Sequence, residues 1–158
     1  MMRNLLLMLT LSLIILCGCA TADKPDDSPR DLAIEQQWSG DYPVSQLDKL
    51  PSDQQQNRVG YIDNATDFAA LWQALMPEQP LPQIDFASRL VLFSRNVEYY
   101  NQTNIFKITL TDGVVEIMSM ETMSAMPVER NAAMALAVVA RTGINAIKKS
   151  QDSMIPVD

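Results

Sequence analysis

Two residues, Asp112-Gly113, constrain this chain more than any others. A two-residue turn that tolerates positive φ closes a β-hairpin, and once the turn is placed the register of both strands follows from counting outward. Leu110 then faces Val115, Ile108 faces Ile117 and Phe106 faces Ser119, so the apolar residues of both strands fall on one face. The other face carries Lys107, Thr109, Glu116, Met118 and Met120, mostly residues that can meet water. A hairpin with one dry face needs a partner layer.

That layer is legible upstream. Asn64 is an N-cap candidate with Asp67 at the third helical position. Phe68, Leu71, Trp72 and Leu75 follow at i, i+3, i+4 and i+7, ending at Pro77. This spacing predicts an amphipathic helix lying on a core, with Trp72 as packing; the rival reading makes Trp72 an exposed platform for a ligand. Residues 58–62 suit a short strand, and Pro77, Pro80 and Pro82 predict an extended connection. The unbroken run Leu90-Val91-Leu92-Phe93 predicts a buried strand. Residues 132–141 are ambiguous: alanine-rich composition argues helix, while the alternation of Met134, Leu136 and Val138 argues strand, the reading adopted. Residues 144–147 and 154–157 add a last short pass. The fold class expected is α+β, a small single domain with one main amphipathic helix packed on an antiparallel sheet.

The start of the chain speaks of location. Arg3 precedes a run, Leu5 to Leu16, that is apolar apart from Thr10 and Ser12. It is too short for the roughly 20 apolar residues a membrane-spanning helix needs, and it reads as a signal peptide. Leu16-Cys17-Gly18-Cys19 resembles the lipobox of bacterial lipoproteins: an aliphatic residue, a tolerant position and a small residue before the modified cysteine. Cys17 is the rival, but Leu16 before it is larger than the signal peptidase accepts. The resemblance implies cleavage after Gly18 and lipidation of Cys19. Two or three acyl chains hold a protein on a membrane nearly permanently. Ala20, rather than the Asp that retains such proteins at the inner membrane, implies the inner leaflet of the outer membrane, facing the periplasm.

The expected division is 1–18 signal peptide, 19–37 flexible tether and 38–158 globular domain. The tether follows from its polar, proline-bearing composition, including Asp26-Asp27, which reads as a solvated charge run rather than a cation site. Removing residues 1–18 takes away Arg3 and no acid, leaving 11 basic against 19 acidic side chains, a formal −8. So acidic a surface repels phosphate backbones, and nucleic acid is not an expected partner.

The same composition removes most ordinary catalytic machinery. There is no histidine, and the two cysteines both belong to the leader. Ser-His-Asp and Cys-His catalysis and the usual zinc sites are therefore excluded. Ser150 beside Lys148 and Lys149 in a polar stretch does not make a buried dyad. Paired-carboxylate chemistry by Glu98, Glu116, Glu121 or Glu129 needs a separation that sequence does not fix. No enzyme activity and no cofactor are expected.

Two binding candidates are left. The stretch Asn96 to Asn104 is rich in amides and tyrosines, and Tyr99, Tyr100 and Asn101 could hydrogen-bond and stack on a sugar or a peptide; the plain alternative is a surface loop. Met118, Met120, Met123 and Met126 place four thioethers within nine residues. Soft sulfur donors select Cu(I), so a copper carrier is an alternative, with packing of an irregular junction as its rival. Lys107, opposite Met118, counts against copper.

From Gly60 onward the layout resembles the C-terminal domain of the PrcB-type protease-complex accessory subunits. The likeness rests on a short strand, a helix with Phe68 and Leu71-Trp72, then Ile84-Asp85-Phe86 leading into Leu90-Val91-Leu92. Unlike that family, residues 96–104 contain no glycine. The resemblance implies a non-enzymatic domain that binds another protein, here an envelope protein met by a membrane-tethered module.

Overall fold

The structure is a computed structural model that describes residues 28–96, 102–122 and 130–157. Nine strands are present among these residues: β1 (Arg30–Asp31), β2 (Gln36–Pro43), β3 (Val59–Ile62), β4 (Arg89–Asn96), β5 (Thr103–Thr111), β6 (Val114–Glu121), β7 (Asn131–Ala140), β8 (Ala146–Ser150) and β9 (Ser153–Pro156). One α-helix, α1 (Ala65–Leu75), and a 3₁₀ helix at Val44–Lys49 complete them.

The strands form two sheets where one was expected. One has the order β1-β5-β6-β8-β9 and the other β2-β7-β4-β3. All pairings are antiparallel except β6 with β8. The architecture is sheet-dominated, and α+β describes it only loosely.

The inner faces of the two sheets meet in one core. Leu90, Leu92, Ala135, Ala137 and Val139 of the four-stranded sheet pack against Ile105, Ile108, Leu110, Val115 and Ile147 of the five-stranded one. The opposite face of the four-stranded sheet bears Val91, Phe93, Met134, Leu136 and Val138, and α1 covers it with Phe68, Leu71, Trp72 and Leu75. Sheet, sheet and helix thus make three layers, and the middle sheet is dry on both sides. That is why β7 is buried from Ala132 to Val139. Its alanines are a close-packed strand between two layers rather than a helix.

Local chemistry sets the ends of α1 as its spacing predicts. Asn64 is the N-cap, and its Oδ1 accepts from the Asp67 N–H at 2.9 Å. Trp72 is 3 % exposed, packs edge-on to Trp38 at 5.1 Å and donates its indole N–H to the Gln79 carbonyl. It is packing and not a platform.

The hairpin turn is formed by Asp112 at φ 51° and Gly113 at φ 78°, the double positive that a type I′ turn requires. Leu110 faces Val115, Ile108 faces Ile117 and Lys107 faces Met118 as counted. Beyond them the count fails: a bulge between Ile105 and Lys107 puts Ile105, not Phe106, opposite Ser119. The extra residue re-aims Phe106 into solvent at 58 % exposure, while Ile105 takes the core position at 1 %.

The packed chain also begins earlier than expected. Arg30 and Asp31 pair with Leu110 and Thr109, and the Leu32 N–H reaches the Ile108 carbonyl at 2.9 Å. Leu32, 9 % exposed, and the half-buried Ile34 supply apolar contacts that a purely polar tether would lack. Residues 30–37 therefore pack with the folded body.

Candidate binding surface

The five-stranded sheet has one face on the core and one that nothing among the described residues covers. Alternation delivers its side chains: with Val115 and Ile117 turned inward, Glu116, Met118 and Met120 of β6 turn outward. Lys107 and Thr109 of β5 join them, and Met154 of β9 lies outward beside the buried Ile155. The charged members are paired. Lys107 Nζ lies 3.0 Å from an Asp31 carboxylate oxygen and Lys148 Nζ 2.9 Å from Glu116. Phe106, Met120 and Met154 are 58 %, 59 % and 55 % exposed, and only Leu81 joins them among exposed large apolar side chains of the described residues.

Met118 and Met120 share this outer face, as alternation along β6 requires; Met118 keeps its counted partner Lys107, whereas past the bulge Met120 lies opposite Asn104. Lys107 does stand opposite Met118, but its ammonium is drawn to Asp31 on β1. Met123 and Met126 lie outside the described residues, as do Cys19, Asp26-Asp27, Glu98, Glu129 and the trio Tyr99, Tyr100 and Asn101. Among the described residues no group of three His, Cys, Asp or Glu side chains is placed to hold a metal ion. No helix among them is long and apolar enough to cross a membrane.

Of the carboxylates named in the sequence as possible acids, the two among the described residues, Glu121 and Glu116, are held in ion pairs. Glu121 accepts two hydrogen bonds from Arg58 at 2.8 and 2.9 Å and one from Asn96 at 3.1 Å, tying the end of β6 to the other sheet. Ser94 and Ser119 hydroxyls bridge the same gap at 2.9 Å. Glu116 is held by Lys148.

Two depressions stand out among the described residues, one at the edge of this sheet and one on the four-stranded sheet. The larger, about 300 Å³, opens between β6 and β8 and is lined by Val59, Glu116, Ile117, Lys148, Lys149 and Ser150. The other, about 230 Å³, lies beside Glu35, Asp85, Ser88 and Arg89. There the Ser88 hydroxyl at 2.6 Å and the Ala87 N–H at 3.1 Å hold the Asp85 carboxyl below its ordinary range, outweighing slight desolvation, with Arg89 helping. Arg89 bonds Glu35 at 2.6 Å. These groups satisfy one another in a capped turn, leaving little for a ligand.

A buried cation was not legible in the sequence. Arg95, 2 % exposed, donates Nε to the Asn57 carbonyl at 2.6 Å and Nη2 to the Gln55 carbonyl, while Nη1 has no partner among the described residues. Burial lowers its pKa. Nearby Tyr42, fully buried, gives its hydroxyl to the Gln46 carbonyl at 2.7 Å. Burial, with Asp48 acting the same way, pushes its pKa up to about 12 against a lowering pull from Arg95. Phe106 was also missed as a surface residue. The adjacent apolar pair Ile105-Phe106, which breaks the alternation, was the available signal.

No protein-family model, no curated protein and no solved structure matches the chain.

Proposed function

We propose that this chain is a non-enzymatic, lipid-anchored module of the bacterial envelope that faces the periplasm and binds another protein through the outer face of its five-stranded sheet. One observation carries the reading. Among the described residues a helix covers the outer face of one sheet and nothing covers that of the other, where Phe106, Met120 and Met154 are exposed. Exposed apolar side chains grouped on one face mark interaction sites more often than those scattered singly. The likeness of the chain from Gly60 onward to the PrcB-type accessory domain supports a binding role, and the absence of histidine and of a mature-domain thiol weighs against catalysis. The Leu16-Cys17-Gly18-Cys19 pattern supports an anchor at Cys19. In class the domain is α+β in the loose sense, with α1 as its main helix.

The test is crosslinking in intact cells, purification of the lipidated protein in mild detergent and identification of bound proteins by mass. A near-stoichiometric partner is expected, lost when Phe106→Asp is combined with Met120→Asp. Recovery of the wild-type protein alone overturns the reading.

A Cu(I)-carrier reading is second. It is favoured by Met118 and Met120 sharing one face while the Lys107 ammonium is held by Asp31. It requires Met123→Leu with Met126→Leu to abolish Cu(I) binding without affecting folding, and unchanged affinity in a competition titration ends it.

A further inference from the structure

Resting on the protein-binding reading, we propose a further contact beside that outer face: the edge of β6 that no strand among the described residues covers beyond Val115 accepts an extended, acidic segment of the partner as an added β-strand. Strands β6 and β8 run in parallel but pair only at Val114 with Ala146 and at Val115 with Ile147. Strand β6 continues to Glu121 and β8 to Ser150, so the two separate at Ile117. The turn makes Thr111 and Val114 a hydrogen-bonded pair, and alternation then gives Glu116 and Met118 to β5. Val115, Ile117 and Ser119 point their N–H and C=O groups the other way. Val115 meets β8. For Ile117 and Ser119 no strand among the described residues stands on that side.

The fold treats the edge at β3 differently. At the edge strand β3, the buried side chain of Gln54 accepts from the Tyr61 N–H at 2.8 Å. Gly60 makes room for this plug, since a Cβ there would run into Gln54 Oε1 and the Phe93 ring. Natural sheets blunt their edges because an unpaired edge templates another strand. Here one edge is plugged and another is left with a cleft beside it.

The cleft states what fits. Its floor is apolar: Val59 and Ile117 are only partly buried and pack against the core between the sheets. On its rim Lys148 is neutralised by Glu116, while Lys149, exposed, has no carboxylate partner among the described residues. The rim is therefore locally basic on a chain of net charge −7. An extended segment that alternates apolar with acidic residues places the first set on Val59 and Ile117 and offers the second to Lys149, while its backbone bonds Ile117 and Ser119. A second copy of this chain offering the same edge would bring the same lysines against this rim, which like charges disfavour.

The probes are two synthetic eight-residue peptides, one alternating valine with glutamate and one alternating valine with lysine. They are titrated into the isotope-labelled lipidated protein in detergent micelles while backbone amide exchange is followed by NMR. The glutamate peptide is expected to slow exchange at Ile117 and Ser119 at least tenfold, and the lysine peptide to leave both unchanged. Lys149→Glu should weaken the glutamate peptide at least tenfold. Ile117→Pro, which deletes the outward N–H without touching the β5 ladder, should abolish binding; if it does not fold, Lys149→Glu still decides. Equal binding of both peptides, or protection at other strands, overturns the site. A cellular partner retained undiminished by Lys149→Glu and Ile117→Pro overturns the site and leaves the module reading standing. A peptide that binds as expected, with no cellular partner recovered, overturns the module reading instead.

Discussion

The four-stranded sheet is dry on both faces, with α1 on one side and the five-stranded sheet on the other. The five-stranded sheet is dry on one face and carries ion pairs, methionines and Phe106 on the other. Covering both faces makes a sheet a structural centre whose residues have little freedom to change, while a half-covered sheet keeps a surface on which substitutions are cheap and contacts are available. The contrast therefore separates what holds this molecule together from what it can offer to another.

Substitution of matched phenylalanines tests that separation most sharply. Phe93 is fully buried in β4 between Val91 and Arg95 on the helix-covered face, and Phe106 is 58 % exposed on β5. Phe93→Ala should destabilise by about 3–5 kcal/mol, as large-to-small core changes do. Phe106→Ala should stay within about 0.5 kcal/mol. Urea denaturation of both variants measures the difference. A Phe106→Ala cost above about 1.5 kcal/mol would mean that the outer face is packed after all.

The next largest effect is a pH dependence at the far end of the middle sheet. A tyrosine in the unfolded chain ionises near 10, whereas Tyr42 in the fold ionises at about 12. The unfolded state therefore loses its proton first. The stability this group contributes is complete below pH 10 and drains away as pH rises toward 12. A two-unit shift is worth on the order of 3 kcal/mol. Urea midpoints at pH 9 and at pH 11.5, compared between the wild type and Tyr42→Phe, isolate it: the variant should lose less on the alkaline side. Equal losses would place the effect elsewhere.

The same contrast governs what could be read from the sequence. Where one face is wet, polarity alternates and register shows; Leu110, Ile108, Lys107 and Met118 are where the turn at Asp112-Gly113 puts them. Where both faces are dry the signal is mixed: alanine-rich composition in residues 132–141 argues helix, the alternation of Met134, Leu136 and Val138 argues strand, and the strand reading holds because two layers enclose Ala132 to Val139. The second sheet was not foreseen, because its assembly from β4, β7, β2 and β3 joins segments far apart in the chain. The bulge at Phe106 was missed because counting assumes one residue opposite one residue. The opening between β6 and β8 depends on a parallel pairing that no local spacing encodes.

A smaller effect probes the helical cover. Asn64→Ala removes the acceptor for the Asp67 N–H, and loss of such a cap costs about 1 kcal/mol. Thermal unfolding should show a lower midpoint with one cooperative transition, because α1 is packed on the middle sheet through Phe68, Leu71 and Trp72. A separate early transition would show that the cover melts independently of the sheets.

The smallest effect belongs to the outer face itself. Lys107 and Asp31 are 42 % and 68 % exposed at 3.0 Å, and exposed pairs of this kind contribute about 0–1 kcal/mol and are screened by salt. Lys107→Ala should change stability by less than about 0.5 kcal/mol in dilute buffer, and by nothing measurable in 1 M NaCl. The pair nonetheless links β5 to β1, which is joined to it over only Arg30 and Asp31. If the bridge does hold that short strand, amide exchange at Leu32, whose N–H bonds the Ile108 carbonyl, should quicken in Lys107→Ala while exchange in β7 stays as it was. A global loss of protection would mean that a contact on the half-covered sheet bears on the core, and the division between a structural sheet and an available one would fail at that point.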